Sequence, residues 1–180
     1  MRKLFTLIFL FIVIHSSLHS QLAVFKMVGK GSDNAKLGFG AFAFTQIPLN
    51  EIGNRNVVIE LMDLAYFPQK DPDIGSVIAY LSIKVGYKYI FSTESKTGFY
   101  IEPSAGYCRV VRSDNIYGDY KDGLALAAEA GYALEVGQRD NALNFGIKYE
   151  SDRAGTNFIV NSIGMRLSYS FHLFRKRGDN

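Results

Sequence analysis

Ile163-Gly164-Met165-Arg166-Leu167-Ser168-Tyr169-Ser170-Phe171-His172-Leu173-Phe174 alternates in polarity from Ile163 to Leu173 without a break. Ile163, Met165, Leu167, Tyr169, Phe171 and Leu173 fall on one face, and Gly164, Arg166, Ser168, Ser170 and His172 on the other. A period of two is what a strand needs to present one apolar and one polar face, since successive side chains point to opposite sides. No helical stripe fits the same residues. The fold class follows from how often this pattern recurs.

Working back from the C-terminus, Leu143, Phe145, Ile147 and Tyr149 alternate with Asn144, Gly146, Lys148 and Glu150. Leu124, Leu126, Ala128, Ala130, Tyr132, Leu134 and Val136 oppose Ala125, Ala127, Glu129, Gly131, Ala133 and Glu135. Phe99 to Val111 is a further strand, with Pro103 removing one ladder donor. Val77 to Phe91 sets Leu81, Ile83, Val85, Tyr87 and Tyr89 against Ser82, Lys84, Gly86 and Lys88. Val57 to Tyr66 and Leu37 to Thr45 alternate less cleanly, and Leu22 to Val28 is the weakest run. That predicts about eight antiparallel strands with turn residues between them. Several are longer than the five or six residues usual in soluble sheets, and long enough to cross a bilayer, which takes about nine to eleven.

Two hairpins fix a register. With Gln138-Arg139 as the turn, Leu134 faces Leu143, Tyr132 faces Phe145 and Glu129 faces Lys148. With the turn centred on Ser95, Phe91 faces Phe99 and Lys88 faces Glu102. A slip of one residue would turn every apolar side chain to the wrong face.

The polar faces are mostly Gly, Ala, Ser and Asn, with one or two charges per strand. A water-facing sheet surface carries more Lys, Glu, Thr and Gln. Small residues with sparse charges of both signs suit the inside of a narrow closed barrel, where eight strands leave room only for side chains. Glu60, Lys84, Lys88, Glu102, Glu129, Lys148 and Arg166 are the candidate interior charges. Such a network is worth its desolvation only when every charge is paired. The Leu, Ile, Val, Phe and Tyr faces would then meet lipid. Aromatics near strand ends (Tyr66, Phe67, Tyr89, Phe91, Phe99, Tyr100, Tyr149, Phe171, Phe174) suit interfacial girdles, although the chain has no Trp.

The N-terminus reads as an export signal. Arg2 and Lys3 precede an apolar run, Leu4 to Ile14, interrupted only by Thr6, and His15 to Ser20 supplies a cleavage region with Ser20/Gln21 as the expected cut. About eleven apolar residues make a signal core and fall short of the ~20 of a spanning helix. Residues 21–180 then form one domain. The mature net charge is (20 − 2) − 17 = +1, so the whole-chain pI of 8.9 argues for no nucleic-acid partner. Cys108 is the sole cysteine, which excludes an internal disulfide, and only His172 survives cleavage.

An exported chain with an even strand count and the last strand quoted above resembles the small eight-stranded outer-membrane barrels of the OmpX and OmpA-transmembrane-domain type. The resemblance implies an all-β, up-and-down transmembrane barrel, with outer-membrane lipid and the barrel-assembly machinery as partners. It also implies that Tyr169, Phe171 and Phe174 form the C-terminal assembly signal, here followed by Arg175 to Asn180.

No catalytic, cofactor or metal site is legible. Ser170 and His172 share a face, but nothing orients the imidazole, and the last strand leaves them at the leaflet opposite lipopolysaccharide. Asp71 to Gly75 and Asp114 to Gly123 carry turn chemistry without an EF-hand pattern. Gly38-Phe39-Gly40 lacks the third glycine and the helix of a nucleotide site. Cys108 falls on the inner face. The expected role is structural or surface-interacting, through loops near 29–35, 67–76, 112–122 and 151–160, the last two being long. The competing class is a soluble lipocalin-like periplasmic barrel with the apolar faces inward around a hydrophobic ligand. The connection 46–56 is long for the opposite side, and the sequence gives no reason for it.

Overall fold

Each alternating run forms a strand. The computed structural model describes residues 17–29, 32–71, 77–113, 119–136, 141–155 and 158–171. In chain order the strands are β1 (Ser17–Val28), β2 (Gly38–Pro48), β3 (Arg55–Phe67), β4 (Val77–Ile90), β5 (Gly98–Ser113), β6 (Asp119–Val136), β7 (Asn141–Ala154) and β8 (Phe158–Phe171). Every strand pairs antiparallel with its sequence neighbours, and β1 closes on β8. Closure leaves no sheet edge, as hydrocarbon surroundings require. Leu134 faces Leu143, Tyr132 faces Phe145 and Glu129 faces Lys148, as the Gln138-Arg139 turn predicts. Tyr89 faces Ile101 and Ile90 faces Tyr100, the register that sets Phe91 against Phe99.

The pairing also fixes the barrel's shape. Followed once around the ring, Met27 leads to Ser162, Glu150, Ala127, Ser104, Gly86, Val58, Gln46 and back to Ser17. The circuit returns to β1 ten residues lower, 27 − 17 = 10. A shear of that size over eight strands tilts them by about 40° and leaves a bore that side chains fill. The end at which β1 begins and β8 finishes is called the lower end below.

The muddier strands are muddy for a reason. Pairing of β3 with β4 shifts between Glu60 and Asp63, and that of β2 with β3 shifts between Ala43 and Phe44. A β-bulge at Leu61-Met62 inserts one residue, so alternation changes phase midway along β3. Asn56, Val58 and Glu60 are buried below the bulge, and Asp63, Ala65 and Phe67 above it.

The apolar faces point outward. Leu22, Met165 and Phe99 are each about 70% exposed, and Ile83, Val85, Phe145, Ile147 and Leu167 are exposed with them. The buried side carries the charges, small residues and one cluster of aromatic rings. This inverts the lipocalin-like alternative, which needs those faces inside. Outward tyrosines gather toward both ends: Tyr66, Tyr107, Tyr120 and Tyr149 near the upper end, Tyr132 and Tyr169 near the lower. Phe67 and Tyr100 do not belong to these belts. They occupy inward positions and are buried. Phe171 closes β8 and Phe174 lies outside the described residues.

Two connections also differ from expectation. Strands β5, β6, β7 and β8 continue through Ser113, from Asp119, through Ala154 and from Phe158. The supposed long loops at 112–122 and 151–160 are therefore largely ladder, in which Asp122 faces Arg109 and Asp152 faces Val160. At the lower end, the connection between β2 and β3 is held by its own side chains. Asn50 Nδ2 donates to Asn54 Oδ1 (2.6 Å), and the Gly53 amide donates to Asn50 Oδ1 (3.2 Å). Gly53 has φ +74°, a left-handed conformation that favours glycine. Asn54 then ties this turn to the next lower turn: its Nδ2 donates to the Ser92 carbonyl, and its own carbonyl accepts from the Ile90 amide (2.8 Å).

Candidate functional site

The interior is layered along the axis. The upper half is apolar: Ala23, Phe25, Met27, Phe42, Ala65, Phe67, Tyr80, Cys108, Val110, Ala125, Ala154 and Val160 pack as one cluster. Phe25 is its hub, with ring centroids 5.7 Å from Phe42 and 6.5 Å from Phe67, and Phe67 lies 6.1 Å from Tyr80. Gly164 makes the space: a Cβ there would lie 2.1 Å from Phe25 Cδ1. Cys108 is fully buried within this layer.

Below it sits the charged layer. Lys84 and Lys148 hold three carboxylates between them. Lys84 Nζ contacts Asp63, Glu150 and Glu60, the last at 3.0 Å, and donates to Ser82 Oγ at 2.8 Å. Lys148 Nζ reaches Asp63 Oδ2 (2.7 Å), Glu150 Oε2 (2.8 Å) and Glu60 Oε2 (3.3 Å). These groups are all at most about 1% exposed. Water does little screening at such depth, so each contact is stronger than at a surface, and each missing partner costs more.

Arg166 extends the chain of charges downward. Its guanidinium bridges Glu60 (3.1 Å) and Glu129, and donates from Nε to Gln21 Oε1 (2.7 Å). It also lies 5.1 Å from the centre of the Phe42 ring, at the junction of the two layers. Glu129 and Glu102 face each other across β5 and β6, a like-charge pair that the arginine offsets. The Tyr100 hydroxyl donates to Glu129 Oε1. Lys88 donates to Asn144 Oδ1 (2.8 Å) and stands 3.9 Å over the Tyr100 ring.

All seven charged side chains singled out in the sequence lie on the inward face and are buried. The structure adds Asp63 and Asp152, which the sequence reading had not assigned to the interior, and Glu150, which it had set on the polar face beside Lys148 without naming it among the interior charges. Asp63 is inward because of the bulge. Glu150 and Asp152 are inward because β7 runs past Tyr149. Asp152 is the odd member. It is fully buried, and among the described residues neither of its carboxylate oxygens has a hydrogen-bond partner. The buried inward charges thus comprise Glu60, Asp63, Glu102, Glu129, Glu150 and Asp152 against Lys84, Lys88, Lys148 and Arg166.

This arrangement can fill and rigidify a bore. Among the described residues, no three His, Cys, Asp or Glu side chains are grouped to hold a metal ion. The Ser170 side chain and His172 lie outside the described residues.

Several solved structures share the architecture. Neisserial surface protein A matches with a TM-score of 0.67 at 15% identity, over 86% of this chain and 95% of that one. The attachment invasion locus protein Ail of Yersinia pestis matches at 0.53 and 16%, over 87% and 97%. The N-terminal β-barrel domain of OprF from Pseudomonas aeruginosa matches at 0.51 and 11%, over 86% and 97%. No protein-family model and no curated protein matches the chain in sequence. At such identities the likeness carries the fold and no ligand. The chain is an eight-stranded up-and-down β-barrel, with apolar rows outside and charges inside, and shares its fold with these small barrels.

Proposed function

We propose that this protein is exported, loses residues 1–20, and is resident in the outer membrane as a non-enzymatic barrel with a filled bore, serving the envelope or its surface contacts. The observation that carries the reading is the inversion of faces. Leu22, Met165 and Phe99 stand exposed while Lys84, Lys148, Glu60 and Glu150 are buried. In water that arrangement would expose far more contiguous apolar surface than a soluble protein tolerates, while in lipid it is the favourable one.

In this reading the lower end is periplasmic, and the connections beginning at residues 29, 68, 114 and 155 face outward. Tyr169, Phe171 and Phe174 act as the assembly signal for the barrel-assembly machinery. Pairing of β1 reaches back to Ser17, so a cut after Ser20 leaves Gln21–Val28 as its remaining ladder. N-terminal sequencing of the mature protein is expected to begin at Gln21.

The deciding experiment is envelope fractionation, followed by electrophoresis with and without boiling. The expected outcome is recovery in the outer membrane and a mobility shift on heating, as a closed barrel resists the detergent until heated. Release into the periplasmic fraction without detergent would overturn the proposal.

A further inference from the structure

The outward rows of β1, β7 and β8 are apolar along most of their length: Leu22 and Val24; Phe145, Ile147 and Tyr149; Ile159, Ile163, Met165 and Leu167. Two bases interrupt them at the upper end, Lys26 and Arg153, both exposed. By the register, Lys26 pairs with Ile163, and Ile163 with Tyr149, four residues below Arg153 on β7. Two inter-strand steps and four residues of rise put their Cα atoms about 16 Å apart. Between them, Ser151 of β7 faces Asn161 of β8.

Another outward base near the upper end behaves differently. Arg109 is neutralised in place: Nε lies 2.7 Å from Asp122 Oδ1, Nη2 lies 3.1 Å from Asp122 Oδ2, and the guanidinium stacks 4.8 Å from the Tyr120 ring. No acid is paired with Lys26 or Arg153 among the described residues. The outward rows of β1, β7 and β8 carry no acid over Leu22–Val28, Asn141–Arg153 and Ile159–Tyr169. Two uncompensated cations therefore stand where an apolar belt ends, with a polar Ser–Asn step between them. Long basic side chains at such a boundary lay their stems along the apolar surface and offer their charge to the interface.

We propose that Lys26 and Arg153 seat the headgroup of an outer-leaflet lipid bearing two phosphates, one phosphate to each base, with its acyl chains descending over Val24, Ile163, Met165 and Tyr149. At this spacing one phosphate could engage both bases only with the two side chains stretched toward each other across Ser151 and Asn161. Two phosphates meet both with the stems free to lie along the apolar surface, which favours the doubly charged lipid. The inference rests on the membrane orientation proposed above.

The test uses the full mature chain folded into phosphatidylcholine vesicles doped with bis-phosphorylated or mono-phosphorylated lipid A, and measures lipid retained per barrel after mild detergent extraction. The expected result is at least ten-fold greater retention of the bis-phosphorylated form. That excess should be lost in the double variant Lys26→Gln/Arg153→Gln and kept in Arg109→Gln, both variants still shifting on boiling. Equal retention of the two lipids, or undiminished retention by the double variant, would overturn the site. Orientation is read separately, by maleimide labelling of Asp33→Cys on intact cells: no surface labelling would overturn the orientation while leaving the vesicle result to judge the lipid site.

Discussion

Lys84 and Asp152 occupy the same bore but stand in opposite energetic positions. The Lys84 ammonium is shared among Glu60, Asp63 and Glu150, all buried. Replacing it by an apolar group of similar length, Lys84→Met, leaves Asp63 and Glu150 to Lys148 alone and Glu60 to Lys148 and Arg166. Breaking a buried pair in this way is expected to cost about 3–5 kcal/mol. Asp152 has no donor at either oxygen and is repelled by Glu150 and Asp63. Asp152→Asn removes a buried charge that Lys84 and Lys148 attract only without direct contact, and supplies an amide donor among acceptors. It should leave stability unchanged or raise it by about 1–3 kcal/mol, the usual cost of an unsatisfied buried group. Urea unfolding of the vesicle-embedded protein, followed by tyrosine fluorescence, compares the two. Equal destabilisation by both variants would mean that Asp152 is held by a partner in the folded barrel and that the layer is balanced as a whole.

At the level of the strands, β3 is the element on which the charged layer depends. The bulge at Leu61-Met62 is what lets Glu60 and Asp63 face inward from one strand. Deleting Leu61 alone takes out the extra residue and leaves Glu60 and Asp63 on one face of an evenly alternating strand. Deleting Leu61 and Met62 together makes the two acids neighbours, and whichever half of β3 then keeps its facing, the other half must turn over. Either Asp63 then meets lipid, or Val58 and Glu60 do. A charge near the membrane midplane costs about 2–4 kcal/mol for a base, less for an acid, and the abandoned lysines add their own cost. The double deletion is expected to lose the heat-dependent mobility shift, whereas the single deletion of Leu61 and the substitution Leu61→Ala should both retain it. The same bulge explains what the sequence concealed. Strand number, antiparallel order and two registers were legible because outward rows such as Ile163 to Leu173 are strictly periodic. Asp63 was missed because a fixed period of two assigns it to the lipid row. An acid flanked by Met62 and Leu64 in a strand was the available signal. Glu150 already stands on the polar face of its strand beside Lys148 and was only left out of the interior charges. Asp152 was missed for a different reason: above Tyr149 the outward row turns polar, with Ser151 and Arg153, so ladder there reads as loop. A strand rising past the hydrocarbon has no apolar row to mark it.

For the barrel as a whole, the two interior layers bear on permeation. Eight strands at a shear of ten enclose a bore narrow enough for side chains to span. The rings of Phe25, Phe42, Phe67 and Tyr80 cross its upper half, and the carboxylates and bases of β3, β4, β7 and β8 interlock below them. An ion entering from above would have to shed most of its water against aromatic rings before reaching the interlocked charges, a step that costs far more than thermal energy. The protein proposed here therefore conducts no steady current: planar bilayers holding pure, folded protein should stay silent at 100 mV. The variant Phe25→Ala/Phe67→Ala removes the apolar barrier and leaves the charged layer intact. If that variant is also silent, the interlocked charges suffice to close the bore. If it conducts, the aromatic layer is the seal. Regular conductance steps from the unaltered chain would defeat the filled-bore reading, because they require a continuous water path through both layers at once.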